Sequence, residues 1–428
     1  MTRQAEVVII GGGIVGCAAA YYLARRGLAP LLLEGREVAG QQSGRNWGFV
    51  RQQGRDPLEL PLMIESNRLW RGLEAELGAD IEWVQGGNLA LAASEERMAL
   101  FEEWLGIARQ VGLDTRLLRQ RDLEAVAPGM HGSWVGGMYT PSDGHAEPAK
   151  ATEAFARAAA ARGATIQTGR MAESLLTANG EIAGVVTDAG EIRTTRLVCA
   201  AGAWSAPLLR TVGLRLPRRL VRATVARTTP APPITRAGVW GPAVAFRQRR
   251  DGRLNLAAGG ATDYDVTLDA FRDLRRFWPN YWKNRRLFRL HVGRPLGRDL
   301  ARLWPGARGR RAFPYERDAD PRPNPDKVQG SLSEFRRLFP GLPELAIERS
   351  WAGYIDVMPD AVPVLDEAPT PRGLIVATGF SGHGFAMGPI VGRLIAELVA
   401  DGKASLDIRG FRLARFAEGT ARPPRSVL

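Results

Sequence analysis

One stretch near the start of the sequence restricts the fold more than any other. Residues 6–34 read EVVIIGGGIVGCAAAYYLARRGLAPLLLE, an apolar strand, a glycine turn, an amphipathic helix and a second strand that ends at Glu34. Gly11 permits the tight turn, Gly13 lets the backbone approach a pyrophosphate, and Gly16 lets the helix pack closely. The helix N-terminus offers N–H groups to phosphate, and the acid can hold a ribose hydroxyl. The stretch predicts a Rossmann-like dinucleotide site, whose further contacts are Ile14, Val15 and Gly35.

Two later glycine-rich segments favour a flavin dinucleotide over a nicotinamide one. Residues 35–57 (GREVAGQQSGRNWGFVRQQGRDP) form a polar segment of the kind that surrounds a buried ring. Residues 373–402 predict a strand, a glycine loop and a helix whose N-terminus would stabilise the anionic charge of a reduced flavin. The predicted contacts are Gln42, Ser43, Gly44, Arg45, Asn46, Trp47 and Gly48 in the first segment, and Gly379, Gly382, His383 and Gly384 in the second.

Several more segments carry a resemblance to a known family. They are 139–164 (YTPSDGHAEPAKATEAFARAAAARGA), 196–209 (RLVCAAGAWSAPLL), 350–365 (SWAGYIDVMPDAVPVL) and 379–389 (GFSGHGFAMGP). Nearly the whole chain resembles the flavin amine oxidase superfamily that includes D-amino-acid oxidase, glycine oxidase and sarcosine oxidase. The resemblance implies FAD, with Ala201, Gly202 and Trp204 beside it. Some relatives tether the flavin covalently, but Cys17 and Cys199 look like small core residues, so we expect non-covalent FAD.

Within the superfamily, the chain is most similar to bacterial membrane-bound L-amino-acid deaminases. The segments 38–48 (VAGQQSGRNWG) and 244–256 (VAFRQRRDGRLNL) carry this likeness, and an insertion follows where those proteins have a membrane-attachment module. The resemblance implies an amino-acid dehydrogenase or oxidase. It does not transfer stereochemistry, because similar members oxidise L-, D- and N-substituted amino acids.

The charge of the chain is concentrated in that insertion. The formal net charge is +13, and residues 271–311 hold thirteen Arg or Lys against Asp273 and Asp299, a local net charge of +11. Basic residues interleaved with aromatic rings are typical of a segment at a lipid interface. We expect peripheral membrane contact through 271–311; single-stranded nucleic acid is less favoured, and an oligomer contact or plain surface stays open. The interleaved rings are Phe271, Phe277, Trp278, Trp282, Phe288 and Trp304.

Composition and length are compatible with one flavoprotein of two interleaved domains. The fold class predicted for the 428 residues is α/β and α+β, a Rossmann-like FAD domain interleaved with an antiparallel-sheet substrate domain. No spanning segment, signal peptide or metal site is indicated, so we expect a cytoplasmic location. The predicted FAD domain comprises 1–57, 144–212 and 356–415, and the substrate domain comprises 58–143 and 213–355, with the insertion at 265–325.

Amino-acid oxidation moves the Cα hydride to flavin N5, so the substrate carboxylate must be anchored. Arginine suits this role because its planar fork binds two oxygens. Arg247, on a predicted strand that begins apolar, is the first choice. Arg51 and Arg222 are reserves. Trp351, Tyr354 and Gln53 are the remaining predicted pocket residues.

The predicted reaction converts an amino or imino acid to an imine, which hydrolyses to a 2-oxo acid. Membrane attachment would favour a quinone or a redox-partner subunit as electron acceptor. Two alternatives stay open: a flavin-dependent tRNA-modifying oxidase, and a flavoprotein subunit of a multi-subunit amine or opine dehydrogenase.

Overall fold

The computed structural model describes residues 3–260, 262–285, 288–301 and 320–425. Its helices are α1 (Ile14–Arg25), α2 (Gln42–Arg45), α3 (Leu60–Leu77), α4 (Glu95–Gln110), α5 (Pro148–Ala160), α6 (Ser205–Arg210), α7 (Asp269–Arg272), α8 (Leu274–Asn284), α9 (Arg294–Ala301), α10 (Pro325–Leu338), α11 (Gly384–Asp401) and α12 (Arg415–Glu418). Short 3₁₀ turns lie at Gln120–Ala125, Gly202–Trp204 and Arg409–Phe411.

The strands are β1 (Arg3–Gln4), β2 (Val7–Ile10), β3 (Pro30–Leu33), β4 (Phe49–Val50), β5 (Asn88–Ala92), β6 (Arg116–Arg119), β7 (Gly136–Thr140), β8 (Gly144–His145), β9 (Thr165–Gln167), β10 (Ala172–Ala178), β11 (Glu181–Thr187), β12 (Gly190–Arg193), β13 (Leu197–Cys199), β14 (Arg219–Thr228), β15 (Gly238–Trp240), β16 (Val244–Gln248), β17 (Leu254–Ala258), β18 (Thr262–Asp265), β19 (Phe288–His291), β20 (Ile347–Val357), β21 (Val364–Glu367) and β22 (Leu374–Thr378).

A six-stranded sheet in the order β21-β22-β13-β2-β3-β9 forms the Rossmann-like domain. All its neighbouring strands are parallel except β21, which pairs antiparallel with β22. Helices α1 and α11 cross closely, because a Cβ on Gly388 would lie 2.4 Å from Ile14 and one on Gly392 would lie 2.5 Å from Ala18. Helix α11 is thereby held against the fingerprint helix α1. The N-terminal residues of both helices line one cavity.

A second, ten-stranded sheet, called the substrate sheet below, is ordered β19-β18-β14-β17-β16-β15-β5-β7-β6, with β20 also paired to β14. The sheet is mainly antiparallel, and β5 with β15 and β18 with β19 are its parallel pairs. A four-stranded sheet, β1-β12-β11-β10, packs beside the Rossmann-like domain. The mixed α/β architecture predicted from the sequence is confirmed.

The insertion continues the substrate sheet. Strands β18 and β19 extend the sheet at its edge, and α7 and α8 lie between them in sequence. Arg219 attaches this part, since its guanidinium donates to the carbonyls of Asp269 and Ala270 and lies 4.4 Å from the Phe277 ring. Residues 302–319 of the predicted insertion, including Trp304, lie outside the described part of the chain.

No helix within the described ranges is both long and apolar enough to cross a membrane.

Candidate functional site

A cavity of about 420 Å³ lies between the fingerprint strands and the substrate sheet. One end is formed by the glycine turn after β2 together with Glu34, and the other by rings and arginines near β4 and β15. Most of the predicted cofactor contacts line it: Gly11, Gly13, Ile14, Val15, Glu34, Gly35, Gln42, Ser43, Arg45, Asn46, Trp47, Gly48, Ala201, Gly202, Trp204, Gly382, His383 and Gly384.

Gly16, Gly44 and Gly379 do not line the cavity but allow its walls to approach one another. A Cβ on Gly16 would lie 2.0 Å from the Gly11 carbonyl oxygen, and one on Gly44 would lie 2.1 Å from that of Ala39. At Gly379, where φ is +72°, a Cβ would lie 2.4 Å from the sulfur of Met358. These three positions support the cavity walls.

The fingerprint end has the geometry of a dinucleotide site. Gly11 has φ +116°, and a Cβ there would lie 2.3 Å from the Ala200 carbonyl oxygen, so no larger residue fits without movement. Ile14 carries the first N–H group of helix α1, and this group donates to Ser43 Oγ at 2.8 Å. Gly12, Gly13 and Ile14 line the cavity, so the turn and the start of α1 lie where the backbone can approach a pyrophosphate.

Glu34 is positioned by two backbone amides. Its Oε2 accepts from Gly12 N at 2.7 Å and its Oε1 accepts from Arg36 N at 2.8 Å. Burial raises the pKa of Glu34, and the same amides pull that pKa down. Each carboxylate oxygen can accept a second hydrogen bond, so the side chain can still hold ribose hydroxyls. The fingerprint end therefore fits the adenosine half of FAD.

Asp356 is a cavity residue that the sequence reasoning missed. Its Oδ1 accepts from Gln42 Nε2 at 2.7 Å, and its Oδ2 accepts from Gly379 N at 2.9 Å. Gln42 in turn accepts from Ala203 N at 2.9 Å. Burial raises the pKa of Asp356, which the hydrogen bond from Gln42 and the Gly379 amide counteract. The segment SWAGYIDVMPD contains two acids, Asp356 and Asp360, and nothing in the sequence singles out Asp356, yet it joins three loops around the cavity.

Two buried arginines lie at the opposite end of the cavity. Arg51 is 5% exposed and Arg55 is 3% exposed, and both line it. Arg51 donates to the Gln53 carbonyl at 2.9 Å, and its guanidinium lies 5.0 Å from the Trp240 ring centroid. Among the described residues neither arginine forms an ion pair, and Arg55 Nη1 has no hydrogen-bond partner. Burial lowers the pKa of both guanidiniums.

Unpaired buried cations next to a cavity are costly unless an anion binds there. The carboxylates of Asp143 and Glu59 act on both guanidiniums without forming an ion pair with either, so this end of the cavity still suits a bound carboxylate. Its walls are aromatic: Trp47 and Trp240 have ring centroids 4.8 Å apart, and Phe49 lies 6.2 Å from Trp240. The sequence predicts Arg51 only as a reserve for this role and gives no signal for Arg55.

Arg247, the first choice for the carboxylate anchor, lies outside the cavity lining. It is 1% exposed, and its guanidinium donates to the Trp47 carbonyl and to Glu147, which also accepts from Arg249. Its charge is paired with Glu147, and two of its five N–H groups are occupied by Glu147 and the Trp47 carbonyl. A Cβ on Gly48 would lie 2.7 Å from its side-chain nitrogens, so Arg247 supports the loop from beneath.

The other predicted pocket residues divide into one that lines the cavity and three that do not. Tyr354 lines it. Gln53 is fully buried and its amide donates to the carbonyls of Asn88 and Met138 and to Thr140 Oγ1, so it joins strands. Trp351 donates to the Arg45 carbonyl at 3.0 Å, and Arg222 pairs with Asp265.

His383 stands at the start of α11, and its ring is bonded to Glu59. His383 Nδ1 lies 2.9 Å and 3.1 Å from the two carboxylate oxygens. Burial and the charge of Arg55 lower the pKa of His383 to about 4, although Glu59 acts in the opposite direction. The imidazole is therefore neutral near pH 7. The sequence had indicated a contact with the flavin loop but not this pairing.

The cavity and the two-domain fold define a flavin-dependent oxidoreductase. The DAO family of FAD dependent oxidoreductases matches residues 6–398, and the chain belongs to this family. Non-covalent binding of the FAD stays a prediction.

Three relatives are similar to the chain over nearly its whole length. The chain is similar to sarcosine dehydrogenase of Homo sapiens, with 26% identity over 437 residues that cover 100% of this chain and 43% of that protein. It thus spans less than half the length of that relative. Similarity to glycine oxidase of Geobacillus kaustophilus is 25% over 426 residues, covering 97% and 98% of the two chains. The structure of L-amino acid deaminase from Proteus myxofaciens superposes with a TM-score of 0.88 at 26% identity, covering 97% and 94%.

Proposed function

We propose that the protein oxidises an amino or imino acid at Cα, giving an imine that hydrolyses to a 2-oxo acid. The observation that carries this proposal is the pair of buried guanidiniums of Arg51 and Arg55 in the FAD cavity, neither of which forms an ion pair with a described residue. Bound FAD supplies the hydride acceptor for this reaction. The relatives named glycine oxidase, sarcosine dehydrogenase and L-amino acid deaminase support the same substrate class.

Within this proposal, Arg51 anchors the substrate carboxylate. Its fork can bind both oxygens, and Trp240 over its guanidinium restricts the orientation. Trp47 and Phe49 exclude water from the same end, which strengthens the ionic contact. Tyr354 contributes to the pocket wall. The N-terminus of α11 places its positive end at the cavity, where it favours an anionic reduced ring.

The test is anaerobic bleaching of the flavin by a panel of L-, D- and N-methylated amino acids. At least one should bleach the wild-type protein. Arg51→Met should lower the second-order rate constant of flavin reduction about a hundredfold, because a charge-assisted contact is lost. Its FAD content should not change. Arg253→Met, in an exposed pair with Glu348, is the matched control and should respond like wild type. If no amino acid bleaches the wild-type flavin, the proposed function is wrong.

We also propose that the insertion attaches the protein peripherally to the cytoplasmic membrane. Most of the exposed large apolar side chains among the described residues lie there: Phe271, Leu274, Trp278, Trp282, Leu290, Val292 and Leu300. Trp278 and Trp282 stack at 5.8 Å, and Arg285 lies 4.7 Å from the Trp282 ring. Exposed rings among cations suit an anionic lipid interface. A membrane quinone or redox-partner subunit would then accept the electrons.

Sedimentation with vesicles tests this attachment. Binding should be strong on anionic vesicles, weaken with salt, and fall sharply on neutral lipid. A form with 271–311 replaced by a short glycine linker should keep its FAD yet stay in the supernatant. Equal sedimentation of the two forms would contradict the proposal, and copurified RNA or a concentration-dependent dimer would support the nucleic-acid or oligomer interpretation instead.

A further inference from the structure

The hydrogen-bonded pair of His383 and Glu59 has no role in anchoring a carboxylate. Glu59 is fully buried and His383 is 8% exposed, so neither faces bulk solvent. His383 lines the cavity, whereas Glu59 does not. Burying a carboxylate behind a catalytic cavity is costly, and the imidazole compensates for part of that cost. A functional contact on the cavity side of the His383 ring would explain why this pair is buried there.

The chemistry of the pair fixes which nitrogen carries the proton. A carboxylate can only accept a hydrogen bond, so His383 Nδ1 must donate to Glu59. In a neutral ring Nε2 then carries a lone pair. His383 lines the cavity and Glu59 does not, so with Nδ1 bonded to Glu59 we infer that the edge bearing Nε2 faces the cavity. The site thereby offers one neutral acceptor near the two cations Arg51 and Arg55.

An amino acid bound at this site needs such an acceptor. Its carboxylate goes to the arginines, and its nitrogen must be held with the lone pair free before Cα can lose a hydride. The positive charges of Arg51 and Arg55 and the N-terminus of α11 disfavour an ammonium there and favour the neutral amine. A neutral amine still has N–H groups to donate, and these need an acceptor in a dry cavity.

We propose that His383 Nε2 accepts a hydrogen bond from the substrate nitrogen and orients it, and that Glu59 positions the ring for this role by fixing its tautomer. This inference rests on the proposed function. His383 would be a catalytic residue, since it contacts substrate, and Glu59 a positioning residue. The titratable and charged groups that face the ring are Glu59, Arg55 and Arg51.

The different roles of the two ring nitrogens of His383 determine which substitutions test the proposal. Asn can replace the Nδ1 donor but not the Nε2 acceptor, whereas the longer Gln can place an oxygen near the Nε2 position. With the amino acid that bleaches wild type fastest, His383→Asn should lower the flavin reduction rate at saturation about tenfold or more, as for one lost hydrogen bond. His383→Gln should restore much of it. His131→Asn, at an exposed histidine, is the control.

A ligand without an amine separates orientation from general damage. Acetate should perturb the flavin spectrum of His383→Asn with wild-type affinity, because its carboxylate needs only the arginines. ¹⁵N-histidine NMR of the protein without substrate supplies a readout independent of activity. It should show His383 protonated at Nδ1, and Glu59→Gln should change that signal while His131→Asn does not.

Three results would overturn the inference: unchanged reduction by His383→Asn, an equal loss of acetate affinity, or an Nε2-protonated His383. Any of them can occur while amino acids still bleach the wild-type flavin, so they leave the proposed function standing. Failure of every amino acid to bleach wild type would instead remove the proposed function itself.

Discussion

Arg247 and Glu147 form a buried ion pair beneath the loop that carries Trp47 and Gly48. The arginine is 1% exposed at its side chain and the glutamate 10%, and the arginine also donates to the Trp47 carbonyl. The pair joins β16 to the start of α5, and so fixes the loop that forms one wall of the cavity. We propose that this pair has a structural role, so its removal should affect stability first.

Replacing Arg247 by Met leaves Glu147 with the partially exposed Arg249 as its remaining partner. We expect a loss of about 3–5 kcal/mol in the free energy of unfolding, typical of breaking a buried pair. Arg253→Met, in the exposed pair with Glu348, should cost less than about 1 kcal/mol. Urea unfolding measures both. A fully stable Arg247→Met protein with no substrate response would restore Arg247 as the carboxylate anchor.

Gly11→Ala should abolish FAD binding, because the new Cβ would lie 2.3 Å from the Ala200 carbonyl oxygen inside the pyrophosphate turn. Gly27→Ala is the matched control. Gly27 also has a positive φ, +80°, but nothing lies within 4 Å of its Cβ position, so only backbone strain is added. The flavin-to-protein absorbance ratio after purification reports the outcome. Equal flavin content in the two variants would contradict the assigned pyrophosphate turn.

The flavin should be released completely by acid precipitation. Cys17 and Cys199 are fully buried in the core and outside the cavity lining. Burial raises the pKa of both thiols, that of Cys199 to about 11, so neither is a reactive thiolate near pH 7. Yellow colour that stays with the protein pellet would show a covalent attachment through another residue.

His145 should make stability fall on mild acidification. Burial, with the charge of Arg247, lowers its pKa to about 3, whereas an unfolded histidine has a pKa of about 6.5. Below about pH 6.5 the unfolded chain therefore binds a proton that the folded protein does not, and stability falls with pH by up to about 1.4 kcal/mol per unit.

The comparison with His145→Asn isolates this effect. The variant lacks the titrating group, so its stability deficit relative to wild type should shrink between pH 6.5 and pH 4. Urea unfolding at several pH values measures the difference, and the contributions of the other titrating groups are common to both proteins. A deficit that stays constant over this range would contradict a neutral buried His145.

Trp278→Ser combined with Trp282→Ser should weaken binding to anionic vesicles by at least tenfold, because two large rings no longer enter the interface. Leu100→Ser is the control, since Leu100 is 43% exposed but lies on α4, away from the insertion. The activity with a soluble dye should stay at the wild-type level in both variants. Equal vesicle binding of the double variant and the control would place the lipid contact elsewhere.

The sequence by itself determined the dinucleotide site, because the fingerprint is local. Gly11, Gly13 and Gly16 act within one turn, and Glu34 follows at the distance that a strand, helix and strand impose. The glycine loop before α11 was predicted for the same reason. FAD, the family and the mixed α/β fold could all be predicted from such segments and from the resemblance they carry.

Only the tertiary structure shows that Arg51 and Arg247 have different partners. Arg51 and Arg247 are both buried, and their local sequences do not separate them. Glu147 lies 100 residues from Arg247 and neutralises it, whereas no described acid pairs with Arg51. The His383 pairing with Glu59 and the Asp356 bridge also join residues more than 300 positions apart. Charge compensation between distant segments depends on packing, and no local pattern in the chain encodes it.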